Sequence, residues 1–350
     1  MQTISSIVFD TRRMGALSLN EARELLSCAQ KKGITRFDVS MHFMGGASES
    51  TFIEAIKGLS FKPEISYKFG RVPNASDTEE SFLREFYAAL ERFSAESFDM
   101  YTVYDINSFE TWNEYRDADA VYKTAVKLRG RGLIKQLSVV SSLEAGELSK
   151  VISACPEIDC IHMPISPLTL KKSADVLKLC AEKNKRVYAL TPLMGGLFEQ
   201  YPELLRPINI SGLSPLQASF GMIFGAGIDM ICDFPDKSGL DAILSAASSV
   251  SDIPADADLG EYETFCTGCG LCRMCPIKSQ APVLMAAYNA YIVSGRTEDM
   301  VEYARRAFGE DEYLYNTRKC IGCRLCERIC PQGIKISERI ERLKNEAHKT

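Results

Sequence analysis

The sequence lacks three features that would place it in other classes of protein. Basic residues are not in excess, since 41 Lys and Arg face 46 Asp and Glu, for a formal charge of -5. Because affinity for nucleic acids depends on clustered cations that neutralise phosphates, we expect no nucleic-acid partner. The first residues show no basic start followed by an apolar run, as a secretory signal does. The longest uncharged stretch, residues 207–228, contains proline, asparagine, glutamine and several glycines, so no membrane association is expected.

Cysteine, by contrast, is abundant. Thirteen cysteines without a secretory signal indicate a reducing compartment, where cysteine serves metals or catalysis rather than disulfides, and predict a cytoplasmic protein. Eight of them lie between Cys266 and Cys330. The other five are scattered through mostly apolar surroundings, where a thiol packs as a small hydrophobic group: Cys28, Cys155, Cys160, Cys180 and Cys232.

Two cysteine groups have the spacing of iron–sulfur ligands. Each places four cysteines within eleven residues or fewer and is followed by proline: Cys266, Cys269, Cys272 and Cys275, then Cys320, Cys323, Cys326 and Cys330. Two intervening residues let successive thiolates reach neighbouring corners of a cuboidal cluster. Structural zinc is the alternative, but its sites use two C-x2-C pairs separated by a dozen or more residues. The spacing therefore predicts two [4Fe-4S] clusters.

The fourth cysteine of each group is expected to serve the cluster of the other group, as in two-cluster ferredoxins. On that rule Cys330 joins the first three cysteines of the first group, and Cys275 joins the first three of the second. The second group has three residues before its last cysteine, as bacterial ferredoxins do, whereas the first group has two. Clusters that exchange ligands are near neighbours, so electrons should pass readily between them.

The N-terminal part of the chain alternates short β-rich runs with amphipathic helical patterns, which is typical of βα units around a parallel sheet. In the first helical pattern Ala22, Leu25, Leu26 and Ala29 fall on one face. Eight such units in about 250 residues match a TIM barrel. A doubly wound sheet is the alternative, but no GxGxxG turn follows the first strand. The predicted strands begin at Ser5, Ile34, Glu64, Asp99, Ile134, Asp159, Arg186 and Ile228.

The fold class is therefore predicted as α/β: a TIM (β/α)8 barrel over residues 1–250, followed by a small α+β ferredoxin-like domain over residues 266–350 that binds the two clusters. Residues 251–265 are acidic, contain proline and glycine and show no apolar period. They are predicted to form a linker.

Five segments resemble the aldo/keto reductases, in the branch that carries a C-terminal 4Fe-4S ferredoxin extension. They are GITRFDVSMHF from Gly33, SYKFG from Ser66, DMYTVYD from Asp99, GLIKQLSVVSS from Gly132 and TPLMGGLF from Thr191. Together with the cysteine groups they span nearly the whole chain. In that family a tyrosine donates a proton to a carbonyl while NADPH supplies hydride, assisted by a lysine, an aspartate and a histidine.

The resemblance implies catalytic roles for Asp38 and Lys68, at the ends of the second and third strands, where barrel active sites form. The tyrosine position is Phe43, which cannot donate a proton, and the histidine position is Tyr104. Tyr104 is either a replacement acid, with its hydroxyl within about 4 Å of the Lys68 amine, or a side chain that fills a vacated pocket. Asp38 and Lys68 are alternatively an ion pair without chemistry. His42 is a second candidate acid or a polar surface residue.

The cofactor positions implied by the resemblance also depart from the family. Val140 and Ser141 replace the Ser-Asn pair after the fifth strand, Ser166 replaces an asparagine, and Leu190 stands where a residue would stack on nicotinamide. Lys237 and Ser238 are a candidate phosphate contact or a solvated loop. These changes predict weak NADPH binding or none, and they leave open whether a nicotinamide or a flavin serves the barrel.

Two functions follow. The first is an oxidoreductase in which the clusters pass electrons between an external carrier and a small-molecule substrate or cofactor at the barrel mouth. The second is a non-catalytic barrel that docks in a larger redox complex, with the ferredoxin domain as its electron-transfer part. Asp38 and Lys68 favour the first, and the altered catalytic positions favour the second.

Overall fold

The computed structural model describes residues 4–71, 78–106, 108–116, 120–208, 213–234, 236–248, 259–260, 262–330 and 332–347. The chain divides into two compact units. The first comprises Met1–Pro192 and Ile210–Ala257, and the second comprises Leu193–Asn209 and Asp258–Thr350. None of the described helices is long and apolar enough to cross a membrane.

The first unit is built around a closed parallel barrel of eight strands, in which β8 pairs with β1. The strands are β1 Ile7–Asp10, β2 Arg36–Ser40, β3 Glu64–Arg71, β4 Phe98–Ile106, β5 Ile134–Ser141, β6 Cys160–Met163, β7 Arg186–Leu190 and β8 Asp229–Asp233. The eight predicted strands and the predicted TIM barrel are confirmed.

Helices follow the strands around the barrel and then form most of the second unit. They are α1 Leu19–Lys31, α2 Ala47–Ile56, α3 Glu79–Phe93, α4 Phe109–Arg116, α5 Ala120–Gly130, α6 Ala145–Ala154, α7 Pro167–Leu170, α8 Ala174–Glu182, α9 Leu197–Gln200, α10 Pro215–Gly225, α11 Lys237–Ser248, α12 Ala281–Ser294, α13 Thr297–Phe308, α14 Glu310–Lys319, α15 Leu325–Arg328 and α16 Ile336–Ala347. Short 3-10 turns include Phe43–Gly46, Met194–Gly196, Pro202–Ile208 and Leu271–Met274.

The first helix shows why these segments form helices. Ser18 caps α1, because its hydroxyl accepts a hydrogen bond from the Glu21 amide while the Glu21 carboxylate accepts one from the Ser18 amide. Such a reciprocal cap satisfies two N–H groups that have no partner within the helix. The predicted apolar face is buried against the barrel unit: Ala22, Leu25, Leu26 and Ala29.

Paired residues on neighbouring strands point to the same face of a sheet, so the register shows which side chains enter the barrel. Thr102 of β4 pairs with Ser138 of β5, and their hydroxyls are hydrogen-bonded at 2.8 Å. Buried apolar residues from six of the strands form a cluster around this pair: Val8, Met100, Val140, Cys160, Tyr188, Leu190 and Ile231. The barrel interior is therefore packed, as in other TIM barrels.

The second unit is helical in its described residues. Its core includes Leu284, Met285, Met300, Tyr313, Ile340 and Leu343, contributed by α12, α13, α14 and α16. No strand is present among the described residues 262–330 and 332–347, although the sequence suggested an α+β domain. The reason is that the long insert between the cysteine groups has helical apolar periodicity and forms α12, α13 and α14.

The units differ from the predicted domains in one segment. Residues 193–209, which follow β7 in the chain, belong to the second unit rather than to the barrel. Most of the predicted linker, residues 251–258, lies outside the described residues, so the predicted domain boundaries stay a prediction.

Candidate functional site

A buried ion pair joins the carboxyl ends of β2 and β3. Lys68 Nζ lies 2.5 Å from Asp38 Oδ2, and the Ser66 hydroxyl donates to Asp38 Oδ1 at 2.9 Å. All three side chains are buried. Burial raises the pKa of Asp38, and the Lys68 ammonium and the Ser66 hydroxyl oppose that effect. The two residues implied as catalytic are therefore brought together where TIM-barrel active sites lie.

Asp105 is a third member of this group, and sequence reasoning missed it. Strand alternation from Thr102 would send Asp105 outward, but β4 has one extra residue between Thr102 and Asp105, which restores the pairing at Val140. A bulge of this kind re-aims a side chain. Asp105 therefore shares the inner face with Val140. The pKa of Asp105 is raised to about 6: burial is the largest cause, the Lys68 ammonium opposes it and the Asp38 carboxylate adds to it.

Phe43, which the sequence resemblance aligned with a tyrosine, lies beside two cations. Its ring centre is 5.7 Å from the Arg12 guanidinium carbon and 6.0 Å from Lys68 Nζ, within cation–π range. Arg12 is itself paired with the buried Asp10, through a 2.7 Å hydrogen bond from Nε to Oδ2. The charged group at the strand ends thus consists of three acids and two bases: Asp10, Asp38, Asp105, Arg12 and Lys68.

His162, on the inner face of β6, is a polar residue that sequence reasoning also passed over. Its ring is fully buried, and Nε2 lies 3.1 Å from the Met100 sulfur. Burial lowers the pKa of His162 well below its usual value, and the Lys68 charge adds to the effect. His162 is therefore a neutral group at neutral pH. Within the described residues its Nδ1 has no hydrogen-bond partner.

These contacts do not show whether Tyr104 or His42, the two candidate acids from the sequence, can act as an acid. Tyr104 lies in β4, but its side chain is outside the described residues, so its approach to the Lys68 amine stays a prediction. His42 is half-buried at the start of the turn Phe43–Gly46, and its backbone amide donates to the Ser40 hydroxyl at 3.2 Å.

The positions expected to hold nicotinamide have other roles. Leu190 is only 5% exposed inside the barrel cluster, which leaves little surface for stacking. The Ser141 hydroxyl donates to the Ile106 carbonyl at 3.1 Å and accepts from the Leu143 amide. Ser166 precedes α7 as its N-cap and is buried. These residues do not fit a nicotinamide ring.

The candidate phosphate contact lies on the surface. Lys237 and Ser238 begin α11 and are exposed. Their role remains a prediction from the resemblance.

In the second unit, Cys330 lies among the cysteines of the first group. Burial raises the pKa of the Cys272 thiol, and the nearby Cys266, Cys269 and Cys330 raise it further. Cys272 and Cys330 share the helical core of the unit. Asn289 of α12 fixes this loop, since its side-chain amide bonds both the amide and the carbonyl of Cys266, at 2.9 and 2.8 Å.

Cys275 lies near the cysteines of the second group. Burial raises the pKa of Cys326 to about 11, and the neighbours that add to the shift include Cys320 and Cys275. Burial works against ionisation of Cys275, but hydrogen bonds from the Ser279 hydroxyl and from backbone N–H groups of the same turn outweigh it and lower the pKa of its thiol. Cys326 of the second group also acts on Cys272, so the crossed ligation stays a prediction.

The chemistry of the donors suits an iron–sulfur cluster. All eight cysteines are free thiols, and the Gly268 amide donates toward the Cys266 sulfur, 3.4 Å away. In the described residues no three ligating side chains are yet arranged around one metal position. Arg339 of α16 is 8% exposed and acts on the charges of Cys266 and Cys330, while its Nη1 has no hydrogen-bond partner in the described part of the chain. A buried cation with an unused donor beside two thiols suits an anionic group with sulfur acceptors.

Gly195 marks a close backbone approach within the second unit. It lies in the turn Met194–Gly196 with φ of +65°, and a Cβ there would collide with the carbonyl oxygen of Thr267, the residue after Cys266. Only glycine fits both the conformation and the space. The segment that follows β7 in the chain therefore packs directly on the first cysteine loop.

A closed (β/α)8 barrel with charged residues at its strand ends, joined to a helical cysteine-rich unit, defines the class of protein. The chain belongs to the aldo/keto reductase family, whose profile matches residues 7–210, and it carries a 4Fe-4S binding domain that matches residues 313–335. The resemblance drawn from the sequence is confirmed.

Solved aldo-keto reductases share the fold. An enzyme from Bacillus halodurans in its holo form is 16% identical with a TM-score of 0.60, covering 74% of this chain and 94% of that one. An enzyme from Klebsiella pneumoniae in complex with NADPH is 18% identical with a TM-score of 0.57, covering 70% and 86%.

One curated relative is a subunit of an enzyme complex. The acetyl-CoA decarbonylase/synthase complex subunit alpha 1 of Methanosarcina mazei is 33% identical over 98 residues, which are 27% of this chain and 10% of that protein. The chain thus matches about a tenth of the length of this relative.

NADPH is expected to bind this chain far more weakly than it binds a typical aldo-keto reductase. The reason is that Leu190 is buried while Ser141 and Ser166 are engaged with the backbone or a helix cap. Titration calorimetry measures the affinity, with the Klebsiella pneumoniae enzyme as the positive control. A dissociation constant in the low micromolar range or tighter would show that other residues of the barrel hold the dinucleotide.

Proposed function

We propose that this protein is an iron–sulfur oxidoreductase that passes electrons between an external carrier and a substrate at the carboxyl end of the barrel. The proposal rests on the presence of two kinds of site in one chain. A charged group around Lys68 lies at the strand ends, and two sets of four cysteines lie in the helical unit. A redox partner outside the chain is part of this proposal, as the similarity to a subunit of a complex also suggests.

Reduction of a carbonyl to an alcohol consumes two electrons and two protons. If the eight cysteines hold two [4Fe-4S] clusters, these would supply one electron each, which satisfies the electron balance. The chain's own residues then have to hold the substrate oxygen and deliver protons. Lys68 can donate a hydrogen bond to an oxygen that gains negative charge, and Asp38 and Ser66 fix its position.

Asp105 is suited to proton delivery. A carboxyl group with a pKa of about 6 is partly protonated near neutral pH, which is where a general acid is most effective. It lies within electrostatic range of both Lys68 and Asp38. Asp105 therefore offers the protonating group that Phe43 cannot supply, alongside the predicted role of Tyr104.

Purified anaerobically, the protein should contain about eight iron and eight acid-labile sulfide per chain, because two cubane clusters need that number. Metal and sulfide analysis measures both. Two zinc ions without sulfide would refute the cluster assignment, and about four iron would reduce it to a single cluster.

The proton donor can be identified with two conservative variants, Tyr104→Phe and Asp105→Asn. The chemically reduced protein is mixed with a panel of carbonyl compounds without oxygen, and reoxidation is followed by the visible absorption. Loss of a general acid should slow reoxidation by about 10² to 10⁴ while the iron content stays unchanged. The variant that shows this loss identifies the acid.

The non-catalytic alternative has a specific observation in its favour, since Phe43 lacks a hydroxyl and Leu190 is buried in the barrel interior. A docking scaffold would show no carbonyl-dependent reoxidation in the wild type or in either variant. Reoxidation that is equal in all three proteins would likewise assign the chemistry to free clusters rather than to the barrel.

A further inference from the structure

Three of the six large apolar side chains that are exposed in the described residues lie at the second cysteine group, and two of them are the most exposed of the six. Ile321 is 72% exposed, Tyr315 61% and Leu325 47%. All three lie within eleven residues of one another in the sequence. Exposed apolar groups clustered in one place, rather than scattered, mark an interaction surface.

One cysteine is exposed in the same place. Cys323 is the exposed member of the eight, and the residues from Ile321 to Leu325 are all exposed. By contrast, Cys272 of the first group and Cys330 of the second are buried in the helical core. If electrons enter from outside, the second group offers the edge that a partner can reach.

Positive charge surrounds these apolar residues. Arg318 and Arg324 are exposed, and Lys319 Nζ lies 4.1 Å from the centre of the Tyr315 ring. The nearby acid Glu327 is turned inward, where it accepts a 2.7 Å hydrogen bond from the Ser337 amide. The acidic residues of α14, positions 310–312, occupy its first turn, at the end away from Cys320.

We call this region the cluster-edge surface and define it as Tyr315, Arg318, Lys319, Ile321, Cys323, Arg324 and Leu325. It is cationic and apolar on a chain whose formal charge is -5, so its charge is opposite to that of the protein as a whole. Three apolar residues with cations around them form a small patch, of the kind used in brief redox encounters rather than in permanent dimers.

We propose that the cluster-edge surface docks a small acidic protein that carries one electron at a time. This inference rests on the proposed function, because it assumes a cluster held by the second cysteine group. In the step, one electron leaves the reduced carrier, which becomes oxidised, and enters the oxidised cluster, which becomes reduced. No bond forms or breaks. The cations steer the carrier and the apolar residues hold it briefly.

The test compares two charge-reversal pairs that change the net charge by the same four units. Arg318→Glu with Arg324→Glu alters the cluster-edge surface, whereas Lys178→Glu with Lys183→Glu alters exposed lysines on and just after α8 in the barrel unit. The probe is a purified bacterial ferredoxin of strongly acidic composition. Its affinity is measured by titration calorimetry with both proteins oxidised, so that binding is observed without electron transfer.

The cluster-edge pair should weaken binding about tenfold or more at low ionic strength, and the difference should shrink as salt is added. The α8 pair should stay within about twofold of the wild type. Stopped-flow reduction by the reduced ferredoxin should follow the same order, while reduction by photoreduced deazariboflavin, a small neutral donor, should be equal in all proteins. Iron content is measured first for each variant.

A second variant keeps the test independent of charge and of any disturbance around Arg324. Tyr315→Ser with Ile321→Ser should weaken binding without changing its dependence on salt.

Three outcomes would overturn the proposal. If both charge pairs weakened binding equally, the cause would be the net charge of the protein rather than the cluster-edge surface. The second is unchanged binding in both cluster-edge variants, and the third is a wild-type dimer that dissociates on the Tyr315 and Ile321 replacements, since a second copy would then cover the surface. About four iron per chain would instead refute the two-cluster assignment in the proposed function. The affinity comparison would then still test whether the cluster-edge surface binds the acidic protein.

Discussion

Replacing Cys330 with alanine is expected to remove about half of the iron and sulfide, and the cluster that disappears should be the one held by the first cysteine group. By sequence Cys330 is the last member of the second group. In the structure it lies close enough to the thiols of Cys272 and Cys266, in the first group, to act on their charges. A [4Fe-4S] cluster that loses one of four thiolates is seldom retained through purification, so the effect is large.

The spectra of the remaining clusters decide the assignment. Cys330→Ala and Cys272→Ala should leave the same cluster, and their electron paramagnetic resonance spectra after reduction should coincide. Cys323→Ala should leave the other cluster and give a different spectrum. Cys180→Ala, which changes a buried thiol in α8, serves as the control and should keep all the iron. If the Cys330→Ala spectrum matches that of Cys323→Ala, ligation is not crossed.

The barrel can be predicted from the sequence because the hydrophobic periodicity and the composition of each segment indicate the same secondary structure. Each predicted strand is a short run of β-branched and aromatic residues between helical patterns, and a parallel strand buried on both sides has that composition. The buried face of the first helix is predictable, since its apolar residues follow the helical repeat. In these segments the local conformational preferences of the sequence agree with the final fold.

The parts that the sequence did not reveal depend on register and on tertiary contacts. Asp105 joins the charged group because of one extra residue in β4, and regular strand alternation places it outside the barrel. The sequence gives no sign that the segment after β7 packs on the cysteine loop, where Gly195 meets Thr267. Neither effect has a periodic signal in the sequence. Asp10 and Arg12, which complete the group at the strand ends, likewise stand out only once their pairing is known.

Replacing Lys68 with methionine should destabilise the barrel unit by about 3–5 kcal/mol near neutral pH, because it leaves a buried carboxylate without its partner. Asp38 is fully buried, and Asp10 and Asp105 lie within electrostatic range of it. Urea unfolding followed by tryptophan fluorescence measures the loss. The chain's single tryptophan, Trp112, is buried in the barrel unit, so its signal reports that unit.

Adding Asp38→Asn to this variant should recover much of the stability, since the unpaired charge is then removed and a double-mutant cycle isolates the pair. The control is Lys57→Met, which breaks an exposed ion pair with Glu54 and should cost less than about 1 kcal/mol. An equal cost for Lys57 and Lys68 would mean that the Asp38–Lys68 pair is not the buried centre of the site.

The pH dependence of the Lys68→Met variant follows from the same buried charges. Burial already raises the pKa of Asp38 and of Asp105, and removing the Lys68 ammonium raises both further. The folded state then holds protons that the unfolded state releases, so stability falls as pH rises from the ordinary pKa of an aspartate through the raised one. The cost of Lys68→Met should therefore be smaller at about pH 5 than at about pH 8. A cost that is constant across this range would show that Asp38 and Asp105 titrate as exposed carboxylates, and Asp105 would then have no raised pKa with which to serve as the acid.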